Sequence, residues 1–351
     1  YLTIDETIQS ICEKYMQKGV EDNNVLNKGV CIAMDVNTGA ILAMVTTDGY
    51  DLNNPYELSA KDKKKIKSTP KKKQAEAESA ALSNMWRNKA VADTYMPGSV
   101  FKMCVASAAL EENLVNEKTS FTCTGSIEVE GETIHCSNIS GHGTQNFVEV
   151  ISNSCNPAFI QIGQMLGAGK FRQYYQGFGF SDKTGIDLPG EAEDSFWKEG
   201  KMGGVDLAVA SFGQNFTITP IQMITACAAV SNGGYVVQPH VVSKITDSKG
   251  NVIKTVDKKV KRQVISDDTS KKMNEYLEYN TERQGAAAGY ISGYKVAGKT
   301  GTTEKRGVTK FESSFSEDYI SSFCGYAPAD DPQIAMLVFF DTPDGCLLYT
   351  S

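Results

Sequence analysis

A chain of 351 residues with 41% hydrophobic and 22% charged side chains can bury a large core and has the balance of a globular protein. Its formal charge of -7 argues against a nucleic-acid binder. No apolar run approaches the roughly 20 residues that a membrane-spanning helix needs.

Taken in chain order, YLTIDETIQSICEKYMQKGV predicts a short strand and then a helix, with Thr3 and Asp5 as candidate caps. GVCIAMDVNTGAILAMVT is two apolar runs around Asn37-Thr38-Gly39, the pattern of a β-hairpin, and its nearly continuous apolar character predicts cover on both faces. Residues 52–92 contain KDKKKIKSTPKKKQAEAESA and read as a solvated, mobile, lysine-rich insertion, with binding to an anionic surface as the minority reading. Residues 93–230 carry mainly helical and loop signals, among them KMCVASAALEENL and NPAFIQIGQMLG. Within them, SFGQNFTITPIQMITACAAVSNGG predicts a loop entering a helix, with Pro220 early and Gly233-Gly234 at its end. Between 291 and 341, YKVAGKT, YISSFCGYAPA and PQIAMLVFFD predict three strands. Strands at both ends with helices between them imply that the two ends of the chain share one sheet.

Nine cysteines is an odd number, and Cys31, Cys104, Cys227 and Cys324 sit singly in apolar runs, as small core residues do. No C-x-x-C pair exists and His135, His142 and His240 form no ligand spacing, which argues against a zinc site. Cys123 and Cys136 flank TGSIEVEGETIH, two short strands around a turn at Glu130-Gly131, so a disulfide between them is one reading.

The stretch GYKVAGKTGT, Gly293 to Thr302, fits two chemistries. As G-x-x-x-x-G-K-[ST] it would be a phosphate-binding loop, which must leave a strand and open a helix whose N-terminal amides hold the phosphates. The residues after Thr300, GTTEKRGVTKFESSFSEDYIS, have no helical apolar face, so the nucleotide reading is rejected. From Lys299 the same stretch is K-T-G-T, a substrate-binding strand of the active-site serine acyl-transferases. Upstream, PGSVFKMCVASAALEENL places Ser99 and Lys102 one helical turn apart, on one face. A serine hydroxyl needs a base to take its proton, and a lysine serves if burial and neighbouring cations lower its pKa. In VISNSCNPAFIQIG, Ser154-Cys155-Asn156 is an S-x-N element whose hydroxyl could relay protons and whose amide could hold a substrate backbone. Alone it is equally a helix cap. The three motifs in this order are far more specific than any one.

With these residues in view, the sequence resembles the transpeptidase domain of a class B penicillin-binding protein of the Gram-positive elongation, division or sporulation type. YLTIDETIQ, MDVNTGAILAM, NKAVADTYMPGSVFK, TGIDLPGE, SNGGYVVQPHVV and GYAPADDPQIAMLV carry the likeness over nearly the whole chain, and NSCN is similar to the sporulation branch. The resemblance implies an α+β fold (an α/β sandwich): a mainly antiparallel sheet of N- and C-terminal strands with a helical subdomain, one domain over residues 1–345. It implies a D,D-transpeptidase in which Ser99 attacks the D-Ala-D-Ala bond of a peptidoglycan stem peptide and an amine of a second stem peptide resolves the acyl-enzyme. Lys102 is then the general base, Ser154 shares proton delivery, and Asn156 contacts the peptide amide and Lys102. Lys299 supplies positive charge, Thr300 and Thr302 bind the terminal carboxylate, and Gly301 lets substrate approach the strand. Backbone amides of Ser99 and Thr302 form the oxyanion hole. No metal or organic cofactor is implied; β-lactams would acylate Ser99, and a glycosyltransferase partner and an extracytoplasmic, membrane-attached setting belong to the family pattern. A D,D-carboxypeptidase or serine β-lactamase shares the scaffold, and a β-lactam-sensing or inactive binding domain is the alternative of another class. Cys155 beside Ser154, with Cys136 in the preceding loop, adds the reading that redox state influences activity. CLLYTS departs from the family's continuation, so residues 346–351 read as a non-native or truncated tail that leaves the domain less stable.

Overall fold

The computed structural model describes residues 1–47, 49–193, 195–283, 289–304 and 319–343, and the tail expected at 346–351 lies outside them. Helix α1 (Glu6–Asp22) starts where Asp5 Oδ1 accepts the Ile8 amide at 2.9 Å. Asp5→Ala removes that cap and should lower the unfolding free energy by about 1 kcal/mol in denaturant melts. The expected hairpin follows as β1 (Gly29–Asp35) and β2 (Ile41–Thr46). Its turn is held by Asp35 Oδ1, which accepts the amides of Asn37 and Thr38 at 2.8 and 2.9 Å. Gly39 has φ +81°, and any Cβ there would press on the Gln238 carbonyl.

The lysine-rich insertion is solvated but helical. Ser59 caps α2 (Ala60–Ser68), α3 (Gln74–Trp86) follows, and neither helix buries a side chain. After the short α4 (Lys89–Ala92), a 3-10 turn at Gly98–Phe101 runs directly into α5 (Lys102–Glu111). Next come β3 (Ser120–Cys123), β4 (Ser126–Val129), β5 (Glu132–His135) and β6 (Gly143–Asn146), then α6 (Phe147–Ser152) and α7 (Asn156–Gly177). The β4-β5 ribbon turns at Glu130-Gly131 as expected; the β3-β6 ribbon has no counterpart in the sequence reading. Helices α8 (Gly204–Ala210) and α9 (Pro220–Ser231) are followed by β7 (Tyr235–Val237), β8 (Lys244–Thr246), β9 (Val252–Thr255), β10 (Val260–Gln263) and α10 (Asp267–Arg283). The chain closes its main sheet with β11 (Ala297–Glu304), β12 (Tyr319–Ala327) and β13 (Ile334–Asp341).

That sheet is antiparallel throughout and ordered β11-β12-β13-β1-β2, so the two ends of the chain do share it. Side chains alternate across it. Val30, Ile32 and Met34 of β1 join the main core, which includes every apolar residue of α9. Cys31 and Ala33 face Cys12 and Met16 of α1 on the other side. Helices on both faces make the α+β sandwich that the resemblance implied. β11 is an edge strand and continues to Glu304 rather than opening a helix, which removes the phosphate-loop reading.

Candidate active site

Two glycines shape the turn that presents Ser99. Gly98 sits at φ +57°, donates its amide to the Gly213 carbonyl at 2.9 Å, and lies so close to β11 that a Cβ would collide with Thr303 Oγ1. A Cβ on Gly213, at φ +84°, would in turn collide with the Gly98 carbonyl. Neither conformation nor spacing suits a side chain, so the loop SFGQN buttresses the turn from behind. Sequence reasoning gave Gly213 no role at the site, since only the fold brings the two glycines together. Ser99 itself is half-buried, and its carbonyl accepts the Lys102 amide as the 3-10 turn becomes α5.

Lys102 is 1% exposed. Its Nζ donates to the Ser154 carbonyl at 2.7 Å, to Ser154 Oγ at 3.1 Å and to Asn156 Oδ1 at 2.7 Å, and lies 5.2 Å from the centre of the Phe159 ring. Burial is the main cause that holds its pKa well below the ordinary lysine value, and the positive charge of Lys299 adds to it. The three residues that the motifs nominated are therefore brought together here. Ser154 has φ +51°, a left-handed backbone that costs a serine energy, and the Lys102 contact to its carbonyl helps retain it. The turn arises because α6 ends at Ser152 with the Cys155 amide folded back on the Val150 carbonyl, while Pro157 fixes the first turn of α7.

Lys299, Thr300, Gly301 and Thr302 lie on β11, in register with Cys324, Phe323, Ser322 and Ser321 of β12. Lys299, Gly301 and Thr303 are buried on one face, and Thr300 and Thr302 alternate with them, half-buried. Burial lowers the Lys299 pKa to about 7, and its Nζ donates to the Thr300 carbonyl at 3.3 Å. A Cβ on Gly301 would lie 2.9 Å from Ser322 Oγ, 3.1 Å from Val100 Cγ1 and 3.2 Å from the Pro97 carbonyl. Gly301 thus packs closely on the turn that carries Ser99. From behind, Asn280 of α10 donates to the Gly298 carbonyl at 2.6 Å and fixes the strand.

The disulfide reading is corrected: Cys123 and Cys136 are free thiols. Cys136 follows β5 and its amide bonds the Gly125 carbonyl, whereas Cys123 ends β3 opposite Gly143 of β6, so the two do not face each other across one ribbon. Instead they meet Cys155 and His142 in a single cluster, the ligand atoms of all four lying within 4.8 Å of one another. The spacing argument against a metal site could not foresee this, because the four residues come from separate segments joined only by the fold.

A family model of the penicillin binding protein transpeptidase domain matches residues 29–351. Stage V sporulation protein D of Bacillus subtilis is 35% identical over 352 residues, which cover 99% of this chain and 50% of that protein. The peptidoglycan D,D-transpeptidase MrdA of Acinetobacter baumannii is 28% identical, with 97% of this chain and 50% of that protein covered. The chain spans about half the length of these two relatives. Among solved structures, penicillin binding protein 3 of Mycobacterium tuberculosis complexed with aztreonam superposes with a TM-score of 0.82 at 25% identity, over 98% of this chain and 74% of that one.

Proposed function

The chain belongs to the penicillin binding protein transpeptidase family, and from that premise we propose that it is the catalytic domain of a peptidoglycan D,D-transpeptidase working through an acyl-serine. The observation that carries this reading is the buried Lys102 amine, one turn from Ser99 and held by Ser154 and Asn156. Burial and the charge of Lys299 hold the Lys102 pKa well below the ordinary value, which favours the neutral amine that a general base requires. Ser99 Oγ attacks the carbonyl carbon of the penultimate D-Ala of a stem peptide while its proton passes to Lys102. The amides of Ser99 and Thr302 receive the developing oxyanion. The C–N bond then breaks, and Lys102 returns the proton through Ser154 to the departing D-Ala amine. An amine of a second stem peptide attacks the ester, loses its proton by the same route, and Ser99 is regenerated as the new amide forms.

Substrate chemistry fits the rest of the site. A stem peptide in extended form can lie along the edge strand β11, its terminal carboxylate near Thr300, Thr302 and the protonated Lys299, and its amide on Asn156. A β-lactam carries a comparable carboxylate and an acylating carbonyl, and the aztreonam complex of the mycobacterial neighbour supports β-lactam binding at this site. The substrate lies outside the cytoplasmic membrane, so the domain would work on that side. No described helix is long and apolar enough to cross a membrane. A glycosyltransferase would supply the strands to be cross-linked.

The test is labelling with a fluorescent penicillin, followed by intact mass and peptide mapping. One adduct per chain on the peptide containing Ser99 is expected. An adduct elsewhere, or none on folded protein, would end the acyl-serine reading. Rapid turnover of the penicillin would favour a β-lactamase.

A further inference from the structure

We infer that Cys123, Cys136, His142 and Cys155 form a closed tetrahedral site for a zinc ion beside the S-x-N turn. The ligand set is three thiols and one imidazole, and all four ligand atoms lie within 4.8 Å of one another. A tetrahedron with Zn–S near 2.3 Å and Zn–N near 2.0 Å sets its ligand atoms roughly 3.5–3.8 Å apart. Cys136 Sγ and His142 Nδ1 are already 3.5 Å apart, so a small contraction of the remaining edges completes the geometry. The three thiols are buried and His142 is half-buried, which leaves the imidazole as the side from which an ion enters.

A core of small apolar residues would not need what surrounds these sulfurs. The backbone amides of Asn138 and Asn156 donate to the Cys136 sulfur, and the Ala158 amide donates to Cys155. Neutral thiols are weak acceptors, whereas metal-bound thiolates are stabilised by such donors. A disulfide would use two sulfurs and leave the third beside the imidazole. Three thiolates and a neutral histidine instead fill all four positions, releasing three protons as zinc binds, in the manner of a structural site.

Its position gives the ion a second role, which rests on the acyl-serine reading. Cys155 lies between Ser154 and Asn156, the two residues that hold Lys102. Asn156 Nδ2 also reaches the carbonyl of His135, the neighbour of Cys136. Zinc would tie the start of α7 to the ends of β3 and β5, and so hold Ser154 in its left-handed backbone.

The experiment is elemental analysis of the chain purified under reducing, anaerobic conditions with zinc present, alongside Cys123→Ala, His142→Ala and, as a distant control, Cys12→Ala. About one zinc per chain is expected for the parent and the control, with affinity at least about tenfold weaker in the two cluster variants. Cobalt(II) substituted for zinc should give the visible spectrum of a tetrahedral thiolate complex. Because a cluster variant could unfold, the parent is also stripped with a chelator and reloaded: its melting temperature should fall and return. Folded, reduced parent that holds no zinc, equal zinc in all variants, or a disulfide among the three cysteines under these conditions would overturn the site. Stripping should also slow penicillin acylation severalfold. Zinc bound with acylation indifferent to it would remove the second role. No acylation with or without zinc would remove the acyl-serine reading, while the stoichiometry would still support the site.

Discussion

Lys102→Met should slow penicillin acylation of Ser99 by about 10²–10⁴-fold, the range removed with a positioned general base. The expectation follows from burial. Lys102 is 1% exposed, and the loss of solvation favours the amine over the ammonium. Methionine keeps much of the side-chain volume, so the helix should fold, and circular dichroism with a thermal melt would establish that. Lys102→Arg separates the two roles a lysine can have. A guanidinium stays protonated, donates hydrogen bonds and cannot take the proton from Ser99. If Lys102 acts as the base, arginine fails as completely as methionine. Recovery of the rate with arginine would show that only a cation is required there, and the proton path through Lys102 would be wrong.

How far the sequence leads to this site differs from residue to residue. The 29–46 hairpin and the three late strands are legible because each is an apolar run closed by turn residues, and such runs pair wherever a core needs them. Helix α9 is legible from Pro220 and from Gly233-Gly234. The insertion is not: its lysines suggest a solvated coil, but alanine-rich spacing and the Ser59 cap make helices of it. The neighbour of β11 is fixed only by folding, so the packing of Gly301 against the turn that carries Ser99 could not be read from the sequence. Helical spacing puts Ser99 and Lys102 on one face, but only the order of the three motifs and the family likeness single them out. That Ser154 and Asn156 should grip Lys102 came from the order of the motifs and the family likeness, since nothing local joins positions 102 and 154. The left-handed backbone of Ser154 could not be read at all, because serine seldom adopts it. The thiol-imidazole cluster is hidden for the same reason: its members lie on strand ends and a helix start that only the tertiary fold assembles.

The pH dependence of acylation provides the last test, and it turns on Lys299. Burial places its pKa at about 7 in place of the ordinary 10.5. Below about 7 it is an ammonium that can receive the carboxylate of a donor; above it, the positive charge is lost. Lys102 works in the opposite sense, since it must be deprotonated to act, and its pKa is also displaced downward. The second-order rate constant for acylation should therefore gain from deprotonation of Lys102 and fall through about pH 7 as Lys299 gives up its proton. Such a profile reports the free protein. A bound carboxylate favours the ammonium, so at saturating donor the alkaline limb should move to higher pH. Lys299→Gln should remove that limb and cost about 10–100-fold in rate, the worth of a hydrogen bond between charged groups. A donor with an amide in place of the carboxylate should lose the limb in the unaltered protein as well. An alkaline limb that survives in Lys299→Gln, or that is the same for charged and uncharged donors, would assign the titration to another group and leave Lys299 a buried structural amine.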